Sequence, residues 1–149
     1  MAYIIGNRKQ KTFFPTTIED YVGLEDPVRV YDAFVENIDL QEMGFSINPY
    51  KVGAHEYHAG TLLKLIVYGY SYGERSSRRL ERACYHNLSF MWLVSGIKPD
   101  YRTIARFRSE NKEAIKHVLR QHVKLCIKLD LIEGIRCLWM GVNSGQMRL

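Results

Sequence analysis

Residues 62–81, LLKLIVYGYSYGERSSRRLE, decide the fold of this chain. The first half is apolar on most sides of a helix and stops at Gly73, a residue type that commonly ends helices. Ser76 or Ser77 then caps a second helix, which carries arginines and extends to about His86. The segment therefore predicts a buried scaffold helix followed by a charged surface helix.

The rest of the chain also predicts helices. Residues 1–25 show no helical period, and Gly and Asn-Pro make residues 41–56 a predicted loop. No convincing strand precedes residue 135, so the predicted fold class is all-α, a compact multi-helix domain with an irregular N-terminal segment. The first predicted helix starts at Asp26-Pro27 and ends near residues 37–40. The later predicted helices span about residues 58–72, 76–86, 88–94 and 112–131, and a further one starts at residue 100 or 103 and ends at 110. The three short helices after residue 75 suit a helix-turn-helix-like unit.

Apolar positions at helical spacing predict the core. In the first helix they are Val28, Tyr31, Phe34, Val35 and Ile38, and in the last they are Ile115, Leu119, His122, Cys126 and Leu129. Gly60 and Gly69 lie inside the scaffold helix, where each costs about 1 kcal/mol relative to Ala, and they would permit close packing.

Length and composition indicate one globular domain with a cytoplasmic location. The chain has 149 residues, of which 46% are hydrophobic and 25% charged. No apolar run approaches the roughly 20 residues that a membrane span needs, and the first residues lack the order of a signal peptide. The cysteines, Cys84, Cys126 and Cys137, are odd in number and include no CxxC pair. They are therefore expected to be thiols of a reducing compartment.

The net charge of +5 is unevenly distributed along the chain. Residues 1–73 carry 6 Lys/Arg and 9 Asp/Glu, residues 74–128 carry 13 and 5, and residues 129–149 carry 2 and 2. The middle segment could face phosphates. Charge alone is equally compatible with scattered, solvated bases.

Two groups of arginines are candidate DNA contacts. In the helix after Pro99-Asp100, Arg102 and Arg106 are four apart and share a face, Arg108 lies nearby, and Thr103 could add a hydroxyl contact. Ile104 and Phe107, with Ala105 as a further candidate, would bury the other side. The alternative is a solvated helix whose arginines pair with Glu110 or Glu113.

The second group recurs at helical spacing and forms one stripe. A phosphate-facing role and an intramolecular role, in which Glu74 and Glu81 neutralise part of the stripe, are both open. Its members are Arg75, Arg78, Arg79 and Arg82.

Metal and catalytic sites are not indicated by the spacing of the polar residues. His122 and Cys126 are spaced i, i+4, but no further ligand has suitable spacing, so a core role is favoured. No carboxylate pair stands out as an acid/base site. From composition and spacing, this is a binding or scaffold domain and not an enzyme.

The chain resembles the InsH-type N-terminal domain of DDE transposases from bacterial insertion sequences. The resemblance covers about residues 13–134, with Ala59 standing where the family usually has proline. It rests on Tyr57-His58, Leu62-Leu63-Lys64 through Tyr68-Gly69-Tyr70, Gly73, Arg75-Ser76-Ser77-Arg78, Leu80-Glu81, Asn87, Trp92-Leu93, Gly96, Pro99-Asp100, Thr103-Ile104 and Phe107-Arg108.

The resemblance implies an all-helical domain that contributes to binding the terminal inverted repeats of the element. In relatives a ribonuclease-H-like catalytic domain follows, whose three acidic residues hold two Mg²⁺ ions. The first of these acids should come soon after Gly134, yet no aspartate follows Asp130 here. No catalytic residue is carried over, and Mg²⁺ is expected only for an intact transposase.

The tail suggests how this difference arose. The codon of Trp139 is TGG, that of Met140 is ATG, and that of Gly141 begins with GG. Read from the third base of the Trp139 codon, these bases encode Asp-Gly, which is part of the Val-Asp-Gly-Thr-Lys-like pattern that the resemblance implies soon after Gly134. We therefore expect a frameshift just after Gly134 to have truncated the transposase. The predicted division is a helical domain over 1–134 and an aberrant, frayed tail over 135–149.

The expected function is DNA binding by a truncated transposase, without strand-transfer activity. The expected partners are terminal-repeat DNA and, through self-association, another copy of the chain or an intact transposase; no membrane partner is expected. The alternatives are a helical protein–protein interaction module, with residues 112–131 as the dimer face, and a remnant with no selected role.

Overall fold

The computed structural model describes residues 17–45 and 56–128, and every regular element in these two ranges is a helix. A short 3₁₀ helix, Ile18–Tyr21, comes first. Six α-helices follow it: α1 Val28–Glu36, α2 Ala59–Ser71, α3 Ser77–His86, α4 Leu88–Leu93, α5 Tyr101–Glu110 and α6 Lys112–Lys128. The predicted all-α class is confirmed. The predicted tail, and the proposed division at residue 134, lie outside the described residues.

Residues 1–25 were predicted to be irregular, and the 3₁₀ helix corrects this prediction for Ile18–Tyr21. The Asp20 carboxylate accepts hydrogen bonds from the backbone N–H and the hydroxyl of Thr17, at 2.7 and 3.0 Å. The Glu19 carboxylate pairs with Arg29 of α1 at 2.6 Å and accepts the indole N–H of Trp92 in α4. The Trp92 bond and then the Arg29 contact lower the pKa of Glu19. These contacts fasten the N-terminal turn across α1 and α4.

Helix α2 is the central scaffold, as its sequence predicts. It begins at its cap His58, whose Nδ1 accepts the Gly60 N–H at 3.1 Å, and it ends before Gly73, which has a φ of +84°. It contacts α1, α3 and α4. Nine of its residues are buried: Gly60, Leu62, Leu63, Leu65, Ile66, Val67, Tyr68, Gly69 and Tyr70.

Helices α1 and α6 pack through the predicted apolar positions. Val28 and Val35 of α1 are buried, and Tyr31 and Phe34 pack against the ring of His122 in α6, with centroids 4.9 and 5.0 Å apart. On α6, Ile115, Leu119 and His122 are buried as predicted, and so are Val118 and Val123. The apolar face of α6 is thus wider than the stripe predicted from the sequence.

The three short helices are where the sequence places them, and α3 packs against both α4 and α5. Asn87 caps α4 by accepting the Ser89 and Phe90 N–H groups at 3.0 and 3.4 Å. Asp100 caps α5 by accepting the Thr103 N–H at 2.8 Å. Ser76 is the N-cap of α3, but its hydroxyl makes no cap hydrogen bond. The packing brings the two arginine-bearing helices, α3 and α5, side by side.

No helix in the described part of the chain is both long enough and apolar enough to cross a membrane.

Candidate nucleic-acid interface

Helix α5 buries one face and exposes arginines on the other. Ile104 and Phe107 point into the core, and Phe107 stacks on Phe45 with centroids 5.9 Å apart. Arg102 and Arg106 are exposed, and Thr103 is half-buried. Ala105 is exposed, so the suggestion that it helps bury the inner side is wrong.

Arg108 is a correction to the predicted set of DNA contacts. Its side chain is only 8% exposed. Nη1 donates to the backbone carbonyl of Arg75 at 2.5 Å and lies 3.4 Å from the hydroxyl of Ser77. Arg108 follows Ile104 by four residues, so helical periodicity places it on the inner face. It fastens α5 to the start of α3 and cannot contact phosphate from this position.

Burial leaves the Arg108 guanidinium poorly compensated. Its Nε and Nη2 are buried without a hydrogen-bond partner. Desolvation lowers the pKa of Arg108, and the nearby Tyr70 acts in the opposite direction. The residue remains a cation at neutral pH because its pKa starts so high.

Helix α3 directs its apolar residues inward and its arginines to solvent. Leu80 and Cys84 are buried, and burial raises the pKa of the Cys84 thiol to about 11, so this cysteine is an unreactive core residue. Arg78, Arg79 and Arg82 are exposed.

The four arginines of the second group have different neighbours. Arg79 lies 3.7 Å from the Glu74 carboxylate, and the exposed Arg75 lies over the Tyr70 ring at 5.2 Å. Within the described ranges, Arg78 and Arg82 form no ion pair. The intramolecular alternative therefore applies only to Arg79.

The side chain that brings the two groups together is Tyr101, the first residue of α5. The Cζ atom of Arg78 lies 5.1 Å from the centre of its ring and that of Arg102 lies 5.7 Å from it. The Nε of Arg102 also donates to the Tyr101 hydroxyl at 3.2 Å. Arginines from two helices thus meet on one aromatic residue.

We call Arg78, Arg82, Arg102 and Arg106 the α3–α5 basic surface. The carboxylates proposed as partners of the α5 arginines do not neutralise it: Glu113 pairs with Lys116 at 3.1 Å, and among the residues described Arg102 and Arg106 form no ion pair. Asp100 is an acidic residue that interacts with this surface: its pKa is lowered by its hydrogen bonds to Thr103 and then by the charges of Arg102 and Arg106.

Two contacts at this surface were not predicted from the sequence. Exposed Lys98, in the turn before α5, lies 4.6 Å from the ring centre of Tyr85 in α3, and Tyr101 joins Arg78 to Arg102. Residues 78 and 101 are far apart in sequence, so no spacing rule links them. The sequence offered one sign of this contact, the aromatic residue Tyr101 directly before Arg102 at the start of α5.

His122 and Cys126 have a structural role. The His122 ring is 7% exposed and packs against Tyr31 and Phe34, and the Cys126 Sγ lies 3.6 Å from Nε2. Burial lowers the pKa of His122, which favours the neutral ring. Over residues 17–45 and 56–128, no three His, Cys, Asp or Glu side chains converge as a metal site would require.

Comparison with known proteins identifies the domain. A family described as a transposase domain (DUF772) matches residues 16–110, well over half of the chain. The match runs from the 3₁₀ helix to the end of α5 and so contains the whole α3–α5 basic surface. Neither the curated proteins nor the solved structures yield a match.

Proposed function

The chain belongs to the transposase domain family DUF772, and we propose that it binds DNA through the α3–α5 basic surface. The observation that carries this proposal is the convergence of Arg78 and Arg102 on Tyr101. Exposed guanidinium groups without carboxylate partners are suited to phosphate oxygens, which they can bind through two parallel hydrogen bonds.

The proposed target is the terminal inverted repeat of the element that encodes the protein. This finer assignment rests on the resemblance to InsH-type N-terminal domains of DDE transposases. Phosphate contacts would position α3 and α5 on the duplex, and side chains near Arg106 at the exposed face of α5 would reach base edges. Four arginines that each contact one phosphate predict a slope of log K against log salt of about −4.

The test compares two double variants that lose the same charge. Arg102→Ala/Arg106→Ala should weaken binding to a labelled terminal-repeat duplex at least about tenfold and make the salt slope shallower by about 2. Arg120→Ala/Lys124→Ala removes two exposed basic side chains from α6 and should change the DNA affinity less than about twofold. Equal losses in both variants would show that binding responds to net charge and not to this surface.

We further propose that these helices bind DNA without cleaving it. The support is in the sequence, where the region that should carry the first catalytic acid of a DDE transposase has no aspartate. Mg²⁺-dependent nicking of a supercoiled plasmid by the purified chain would refute this.

The hypothesis of a frameshift near Gly134 is tested separately by the nucleotide sequence of the gene, which should encode Asp-Gly in the alternative frame.

A second candidate function, self-association, is favoured by one observation on α6. Leu125 and Ile127 are 38% and 46% exposed near the end of this helix. Sedimentation at low and high salt separates the two functions, because an apolar dimer persists at high salt whereas phosphate contacts weaken. Dimerisation that is lost in Leu125→Ser/Ile127→Ser, together with no DNA binding, would favour this candidate.

A further inference from the structure

We propose that Tyr101 is a positioning residue that holds Arg78 and Arg102 as one two-cation clamp for the DNA backbone. This inference rests on the proposed function, and it adds the way in which the phosphates are held. The ring lies within 5.1 and 5.7 Å of the two guanidinium carbons, and the hydroxyl accepts the Arg102 Nε–H.

The geometry matters because arginine side chains are long and flexible. Ordering each one at an interface costs free energy, and two free guanidinium groups would repel each other. The electron-rich face of Tyr101 attracts both cations and offsets part of this repulsion. A clamp that is ordered before DNA arrives binds more tightly, since less freedom is lost on binding.

Phosphate is the ligand chemistry that this arrangement fits. The Asp100 carboxylate accepts the Thr103 N–H at 2.8 Å as the cap of α5. Neither Arg78 nor Arg102 has an ion-pair partner in the described segments. Successive phosphates of a DNA backbone carry several anionic oxygens, which could accept hydrogen bonds from both guanidinium groups at once.

Tyr101 differs from the other aromatic residues that face a cation. The Tyr70 ring faces Arg75, which lies outside α3, and the Tyr85 ring faces Lys98 of the turn before α5. The Trp92 ring faces Arg29, which already forms an ion pair with Glu19. Tyr101 instead contacts one arginine from each of two packed helices, Arg78 of α3 and Arg102 of α5. It is therefore the position at which one substitution should uncouple α3 from α5 in DNA binding.

The test compares Tyr101→Leu with Tyr101→Phe in the full chain. Leucine removes the ring, and we expect DNA affinity to fall about tenfold, while phenylalanine keeps the ring and should stay within about threefold of the wild type. Tyr85→Leu is the matched control, because it removes a ring that contacts a single cation, and a loss of less than about threefold is expected. Circular dichroism melts should show that all three variants are folded.

A double-mutant cycle supplies a readout that a purely structural role would not change. Arg78→Gln and Arg102→Gln should be non-additive in DNA affinity when Tyr101 is present and additive in the Tyr101→Leu background. Additivity in both backgrounds, or wild-type affinity in folded Tyr101→Leu, would overturn the inference and leave the proposed function standing.

The two proposals fail in different ways. If the wild-type chain shows no salt-dependent DNA binding, the proposed function is wrong, and titration with inorganic phosphate still decides the clamp. The Nε–H signals of Arg78 and Arg102 should then shift together in NMR spectra of the wild type and Tyr101→Phe, but not in those of Tyr101→Leu. Signals that move independently, or not at all, would refute the clamp.

Discussion

Replacement of Gly69 by alanine tests how α3 is positioned on the central helix. A Cβ atom at Gly69 would lie 2.4 Å from Cδ2 of Leu80 in α3 and 3.0 Å from the backbone oxygen of Glu74. Leu80 is fully buried, so it cannot move aside without repacking the core. The Glu74 N–H also donates to the Gly69 carbonyl at 2.7 Å, which keeps this segment close to α2.

The magnitude follows from two opposing effects. Alanine gains about 1 kcal/mol over glycine within a helix, whereas overpacking costs roughly 1–3 kcal/mol. Because both a buried side chain and the backbone are too close, we expect the upper part of this range. The free energy of unfolding should therefore fall by about 1–2 kcal/mol, and the Tm by roughly 3–8 °C.

Urea unfolding of Gly69→Ala in two backgrounds separates the two effects. In Leu80→Ala, which itself should cost about 2–5 kcal/mol, the crowded Cδ2 atom is gone. There Gly69→Ala should become stabilising by up to about 1 kcal/mol, so the sign reverses. Stabilisation in the wild-type background as well would refute the claim that Gly69 is required for close approach.

Three other predictions test individual side chains of the fold and the site. Arg108→Met should leave the DNA affinity within about twofold of the wild type, because Arg108 is buried. It should raise the free energy of unfolding, measured in urea, by about 1 kcal/mol, because removing two unpaired buried nitrogens outweighs the lost hydrogen bond to the Arg75 carbonyl. A large loss of DNA affinity would contradict the burial argument. Asp100→Asn keeps the cap of α5 but removes a negative charge that acts on Arg102 and Arg106. It should tighten DNA binding a few-fold at low salt, and this gain should disappear at high salt. Burial lowers the pKa of His122 in the folded state, so between the folded and unfolded pKa values the unfolded chain binds more protons. Stability should therefore be lost as the pH falls below about 6.5, and thermal melts at pH 7.5 and 5.5 should show a smaller loss in His122→Phe.

The helices could be predicted from the sequence because their signals are local. Helix α2 ends at Ser71, just before the predicted stop at Gly73, and Asp100 provides a capping carboxylate three residues before the N–H that it accepts. The 3₁₀ helix was missed because four residues are too few to show a hydrophobic period. Its only local sign was the pair Thr17 and Asp20, at the spacing of a capping interaction.

The candidate site was less predictable because it depends on tertiary contacts. The two arginine groups could each be identified from helical spacing, but their meeting on Tyr101 depends on how α3 packs against α5. The burial of Arg108 is a different case. It lies four residues after the buried Ile104, so the same periodicity that places Arg102 and Arg106 outside places Arg108 inside.

The charge of a chain segment therefore overstates the charge that a DNA duplex would meet. Residues 74–128 carry 13 Lys/Arg and only 5 Asp/Glu, yet Arg108 is buried, Arg79 lies beside Glu74, and Lys116 pairs with Glu113. What remains on α3 and α5 is four exposed arginines without carboxylate partners in the described structure. A phosphate-binding surface is thus set by helical phase and by packing between helices, and net charge is only the condition that makes such a surface possible.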